Sequence, residues 1–171
     1  MTLTELFQDK TLNAKGKTEK LSALLLDGTI DTETLIAFAQ NTKDADKGTC
    51  VEAFEYATRH KPEFASRACL DFATAHLSHK APRVRWESAK VIGNIAQFFR
   101  NDLEPAISQL LVNTEDSSTV VRWAAAFALG EIIKLKLPIN QELIPTVENI
   151  IEREEKNSIK KIYQAALKKI K

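Results

Sequence analysis

Cys69, His76 and His79 are the residues whose types and spacing come nearest to a metal site. The histidines are three apart and the cysteine lies seven before the first, so one helix would carry all three on neighbouring turns. No acid or fourth soft ligand follows at a spacing that would close a tetrahedral set, so no metal is expected and capping or solvated histidines are the simpler reading. Glu87 and Glu131 are helical acids with no evident catalytic partner, which suits surface ion pairing better than acid/base work. The chain contains no G-x-G-x-x-G, P-loop, H-E-x-x-H, C-x-x-C or G-x-S-x-G pattern. No cofactor is expected, and the chain reads as noncatalytic. What stands out instead is a pair of tryptophans, Trp86 and Trp123, each directly after an arginine, Arg85 and Arg122.

That pairing is part of a repeat. Val84-Arg85-Trp86-Glu87-Ser88-Ala89-Lys90-Val91-Ile92-Gly93 returns 37 residues later as Val121-Arg122-Trp123-Ala124-Ala125-Ala126-Phe127-Ala128-Leu129-Gly130. A weaker copy runs from Ile159 to Leu167, and a fainter one from Gly48 to Ala57, with Ala53 set against Ala89. The segments before these copies also match: Leu103-Glu104-Pro105-Ala106-Ile107 resembles Leu143-Ile144-Pro145-Thr146-Val147. Each unit therefore holds two helices. Capping and breaker residues predict pairs at 31–41 and 46–60, 62–78 and 82–99, 103–113 and 117–136, and 140–154 and 157–170. Pro62, Pro82 and Pro105 fall at first turns, where a missing N–H costs little, and Asp31, Asp102 and Asn157 are the expected N-caps. Residues 1–30 carry one helix at 16–27 and a short turn before it. They read as an N-terminal helical cap on an array spanning 31–171, the whole making one domain.

The second helix of each unit resembles HEAT repeats, and the subtype is similar to the short bacterial form related to phycobilin-lyase repeats. That family's pattern is an aspartate, a short gap, then V-R-x-x-A-A-x-A-L-G-x-I. Asp116, Val121, Arg122, Ala125, Ala126, Ala128, Leu129, Gly130 and Ile132 fit it throughout, while the unit beginning at Val84 lacks the turn aspartate. The resemblance implies an all-α, right-handed α-solenoid of about four HEAT-like hairpins, with second helices lining a concave surface. Small residues at 125, 126, 128 and 130 would let adjacent helices approach, and Arg85, Arg122 and Asp116 would link successive repeats.

On a helix turning 100° per residue, Val121, Ala125, Ala128, Leu129 and Ile132 point one way and Trp123 points almost opposite. Phe127, Glu131 and Lys134 lie near the Trp123 direction, with Trp86, Lys90, Asn94 and Gln97 in the preceding repeat and Cys50, Phe54 and Thr58 in the first. Phe54, Trp86, Lys90, Trp123 and Phe127 are the resulting candidate partner-binding residues, although an aromatic stripe at helical spacing also suits packing between repeats.

Composition limits the partners. Twenty-four basic against 23 acidic residues is not the footprint of an avid nucleic-acid binder. The positive surplus is central, with 7 basic and 3 acidic residues in 61–100, and is densest at His79, Lys80, Arg83 and Arg85. That turn is either a solvated loop or a contact for an acidic partner. No secretory signal or membrane-length apolar run is seen, so a cytoplasmic protein with two buried thiols, Cys50 and Cys69, is expected. The main functional expectation is a module binding a protein or peptide on its concave face. The alternative is a DNA-binding protein resembling the HEAT-like alkylpurine DNA glycosylases, with Trp86, Glu87, Arg122 and Trp123 around a lesion. The near-neutral charge and consensus-type repeats stand against that alternative.

Overall fold

The computed structural model describes residues 1–171, and every regular element in it is helical. Ten α-helices follow one another: α1 (Leu3–Gln8), α2 (Ala14–Leu26), α3 (Thr32–Gln40), α4 (Asp44–His60), α5 (Arg67–His76), α6 (Pro82–Ile95), α7 (Glu104–Asn113), α8 (Thr119–Lys134), α9 (Asn140–Arg153) and α10 (Asn157–Lys169). They form two rows. The second helices α4, α6, α8 and α10 pack successively on one another, with α2 against α4 extending the row, and the first helices α3, α5, α7 and α9 cover them on one side. The result is an all-α repeat solenoid. No helix is long and apolar enough to cross a membrane.

Local chemistry sets the boundaries. Asp31 accepts the Thr34 N–H at 2.7 Å, and Asn13, Ser66 and Ser118 cap α2, α5 and α8 in the same way. The single helix expected over 62–78 is divided. Pro62 starts a 3-10 turn, Pro62–Phe64, and Ser66 then begins α5 with extended backbone, φ −88° and ψ 169°. Asp102 and Asn157 do not cap. Asp102 pairs with Arg67 Nη1 at 2.9 Å while Leu103 takes the cap position, and Asn157 is already helical after Lys156. Pro145 sits inside α9 rather than at its start, because the turn at Pro138 lets that helix begin at Asn140.

The core runs the length of the stack without interruption, from Leu6 to Ala166. Val121, Ala125, Ala128, Leu129 and Ile132 are all buried. Cys50 and Cys69 are buried free thiols, and desolvation pushes each up to about 12, so neither is a ready nucleophile. Buried side-chain amides tie the first-helix row to its neighbours. Asn113 donates to the Leu77 carbonyl at 3.0 Å and Asn140 to the Ile133 carbonyl at 2.8 Å.

Candidate binding face

The second-helix row presents one line of side chains from each helix. Helix α8 contributes Trp123, Phe127, Glu131 and Lys134, none of them fully buried. Trp123 is 39 % exposed and stacks on Phe127 with ring centroids 6.1 Å apart and planes 6° from parallel. Phe127 is held from beneath by α6. A Cβ added to Gly93 would lie 2.5 Å from Phe127 Cε1, so the glycine is what admits the ring. The equivalent Gly130 faces Ala166 and Ile162 of α10, where a Cβ would find ordinary contact at 3.4 Å.

Helix α6 contributes Trp86 and Lys90, both half-buried and both engaged. The Trp86 indole N–H donates to Glu87 Oε1 at 3.0 Å. Lys90 Nζ lies 3.4 Å from Glu87 Oε2 and 3.7 Å from Glu55 Oε2, and so bridges α6 to α4. Burial raises the Glu87 carboxyl above its ordinary value, an effect that Lys90 and the indole N–H offset only in part. Asn94 completes the joint, donating to the Glu55 carbonyl and to Thr58 Oγ1, each at 3.1 Å. Thr58, Arg59, Asn94, Phe127, Glu131 and Lys134 line a groove of about 390 Å³ crossing α4, α6 and α8. The groove reaches the aromatic pair at Phe127 and leaves Trp86, Lys90 and Trp123 outside its lining.

Phe54 does not belong to that surface. It is 1 % exposed and packs 6.0 Å from the Phe72 ring of α5, and Cys50 and Thr58 are buried with it. The reason is register. Helix α4 begins 38 residues before α6, at Asp44 against Pro82, which sets Gly48 opposite Trp86 and Glu52 opposite Lys90. The surface line of α4 is thus Glu52, Tyr56 and Arg59, with Tyr56 40 % exposed. Matching Ala53 to Ala89 implies 36 and displaces the line by two residues, and α4 starts after Lys43 with no side-chain cap that would mark its first turn in the sequence.

Two arginines connect loops to the repeats behind them. Arg85 donates through Nη1 to the carbonyls of His79 and Lys80 at 2.9 and 3.0 Å, and its Nη2 meets Asp116 Oδ2 at 3.2 Å. Arg122 donates to the Asp116 carbonyl at 2.9 Å and through Nε to Glu154 Oε2 at 3.1 Å. Burial pulls the Glu154 carboxyl upward, but the Lys156 N–H and Arg122 outweigh it and hold it below the ordinary range. Glu154 thus occupies in the last repeat the place Asp116 holds in the third, a partner that sequence reasoning missed.

The basic turn is not a free cationic patch. His79 and Lys80 meet Asp44 at 3.5 and 3.3 Å, Arg83 pairs with Glu52 over the open side of Gly48, and Arg85 is committed to Asp116. Cys69, His76 and His79 do not converge on a metal position: Cys69 is buried, and His76 bonds the Phe72 carbonyl through Nδ1 at 2.7 Å. No group of three or more His, Cys, Asp or Glu side chains is placed to hold a metal ion. Glu87 and Arg122, two residues a lesion site would use, are each bound to protein partners.

The sequence profile of the HEAT-like repeat family matches residues 82–132, the stretch from α6 to α8. Nothing among curated proteins matches the chain. Among solved structures it is similar to a designed armadillo repeat protein in complex with the peptide (KR)4, at 21 % identity and TM-score 0.68, over 92 % of this chain and 71 % of that one. A computationally designed armadillo repeat protein for modular peptide recognition gives 20 % identity and TM-score 0.70 over 91 % and 70 % of the two chains. A further designed armadillo repeat protein gives 20 % and 0.65 over 90 % and 69 %. By fold, the chain is a helical repeat solenoid of the HEAT/armadillo type, with its HEAT-like signature in residues 82–132.

Proposed function

We propose that this protein is a noncatalytic module that binds an extended peptide segment of a partner protein along the concave, second-helix face of its solenoid. The observation that carries the reading is the Trp123–Phe127 stack. Two aromatic rings lie parallel on an exposed face, fixed by a glycine of the neighbouring repeat and bordered by a polar groove of about 390 Å³. Rigid aromatic anchors beside a polar rim are the usual centre of a protein interface. Of the similar solved structures, one is a designed armadillo repeat protein in complex with a peptide and another was designed for modular peptide recognition, which supports the same use of the same kind of surface. Arg85, Arg122 and Asp116 serve the array as links between repeats, while Trp86 and Lys90 border the aromatic centre. The pattern around Val121 to Ile132 supports placing the repeats with the short form similar to phycobilin-lyase repeats, and a cytoplasmic adaptor or scaffold is the setting that suits such a module.

A random-peptide library displayed on phage, selected on the immobilised full chain, tests this reading. The wild type is expected to retain a convergent set of peptides that the Trp123→Ala variant releases. That variant should remain folded, losing about 1–2 kcal/mol with the aromatic stack. Failure of the wild type to retain any peptide above bare support would overturn the proposal.

A further inference from the structure

The last helix of the row differs from the others in charge. Helix α10 and its flanks, residues 156–171, hold six lysines and no acid: Lys156, Lys160, Lys161, Lys168, Lys169 and Lys171. None of them lies within ion-pair distance of a carboxylate. Helix α8 begins 38 residues before α10, at Thr119 against Asn157, and Asp116 and Glu154 are separated by the same 38. The equivalence puts Lys161 in the place of Trp123 and Lys169 in the place of Glu131. Both lysines are exposed, as is Ala165 in the place of Phe127.

Elsewhere on the face, the charges are neutralised within the protein. Glu52 is taken by Arg83, Glu55 by Arg59 and Lys90, Glu87 by Lys90, and Glu131 by Lys134. Along the surface line of α4, α6 and α8 the charges are thus paired within the protein, whereas on α10, one helix beyond the aromatic pair, they are unpaired and of one sign.

From this we infer that the occupant of the face is an acidic peptide segment, with Asp or Glu side chains over Lys161 and Lys169 next to an apolar side chain seated on Trp123 and Phe127. The inference rests on the peptide-binding reading above and adds the chemistry of the partner. A peptide fits better than a nucleic acid, because a phosphate backbone following the row would leave the lysines for a stretch carrying Glu52, Glu55, Glu87 and Glu131. A polyanion gains nothing there. A short acidic run followed by an apolar anchor meets positive charge at one end and rings at the other.

The same phage selection supplies the first readout, the composition of the retained peptides. Enrichment of Asp and Glu beside an apolar residue is expected. Retained peptides that are basic or lack acids would overturn this inference and leave the peptide-binding reading standing, whereas no retained peptide would overturn both. The second readout is titration of a synthetic peptide of the selected composition, followed by fluorescence anisotropy. The Lys161→Glu, Lys169→Glu double variant should weaken binding at least tenfold while melting like wild type. The charge-matched Lys10→Glu, Lys61→Glu variant, altered at exposed and unpaired lysines in the loop after α1 and just beyond the end of α4, should bind as wild type does. Equal losses in the two double variants, or tighter binding of oligo-dT than of the acidic peptide at the same salt, would overturn the inference.

Discussion

The joint between α4 and α6 and the joint between α6 and α8 connect units of the same kind, but with opposite materials. The first is polar: Lys90 bridges Glu55 and Glu87, Asn94 reaches back to the Glu55 carbonyl and Thr58, and Arg83 covers Gly48 to meet Glu52. The second is apolar on the face, where Phe127 lies against Gly93, and small in the core, where Ala124, Ala125 and Ala128 are buried. The HEAT-like profile covers the second joint and stops short of the first. The recognisable repeat signature coincides with the joint where both facing helices keep small residues at fixed places. Where ionic and amide bridges hold the helices instead, the residue types are free to drift and the signature fades.

The largest effect is expected where the loop links meet the stack. Arg122→Ala leaves the Glu154 carboxylate buried without its cation, and thermal or urea unfolding should show a loss of about 3–5 kcal/mol. Leu129→Ala opens a cavity at a fully buried site of the apolar joint and should cost about 2–5 kcal/mol by the same measurement. A melt close to wild type would show that the α6/α8 joint can collapse around the loss and is no more tightly packed than the α4/α6 joint.

Gly93→Ala sharpens the contrast. Its Cβ would meet the Phe127 ring, and overpacking of about 1–3 kcal/mol is offset by a gain of about 1 kcal/mol in helix propensity. The net loss should be about 0–2 kcal/mol, with a change in Trp123 fluorescence as the stack is displaced. In a Phe127→Ala background the same change should become stabilising, which a double-mutant cycle measures directly.

The smallest effect is on pH dependence, and it sets the polar α4/α6 joint against the Arg122–Glu154 link. The folded Glu87 carboxyl titrates above the unfolded value of 4.5, so the folded state binds the extra proton and stability falls as pH rises through the interval from 4.5 to the raised value. Glu154 has the opposite sign: its lowered folded value gives stability that is present above 4.5 and lost as pH falls. Glu87→Gln should therefore gain on wild type as pH rises across its interval and then level off. A stability difference between the two proteins that does not change with pH would break the assignment.

The array was legible in the sequence because close approach demands small residues at fixed places. Val84 to Gly93 and Val121 to Gly130 show both the period and the outward direction of Trp123. Phe54 falls in the core because the small residues of α4, Gly48, Ala53 and Ala57, do not stand where Ser88, Ala89 and Gly93 stand in α6: Cys50, Val51 and Glu55 hold those places, so matching alanine to alanine slips the register by two and turns a surface line into the core. The division at Phe64 to Ser66 was hidden for a related reason. Pro62 and Ser66 are both good helix starters, and only the fold determines that each begins its own element. The pairing of Lys90 with Glu55 joins residues 35 apart whose types would suit any exposed helix, so no local pattern announces it.

The ring of Phe127 resting on the bare backbone of Gly93 also makes that joint a gauge. With no side chain on Gly93, the Phe127 ring comes up to the α6 backbone and governs how closely α6 and α8 approach at this level. In a stack where each unit touches only its neighbours, an error in one spacing is not averaged out but carried as a rotation into everything beyond. Whatever part of an added methyl at residue 93 is taken up by the helices rather than by the Phe127 ring would turn α10 relative to Trp86 and change the reach of the whole face.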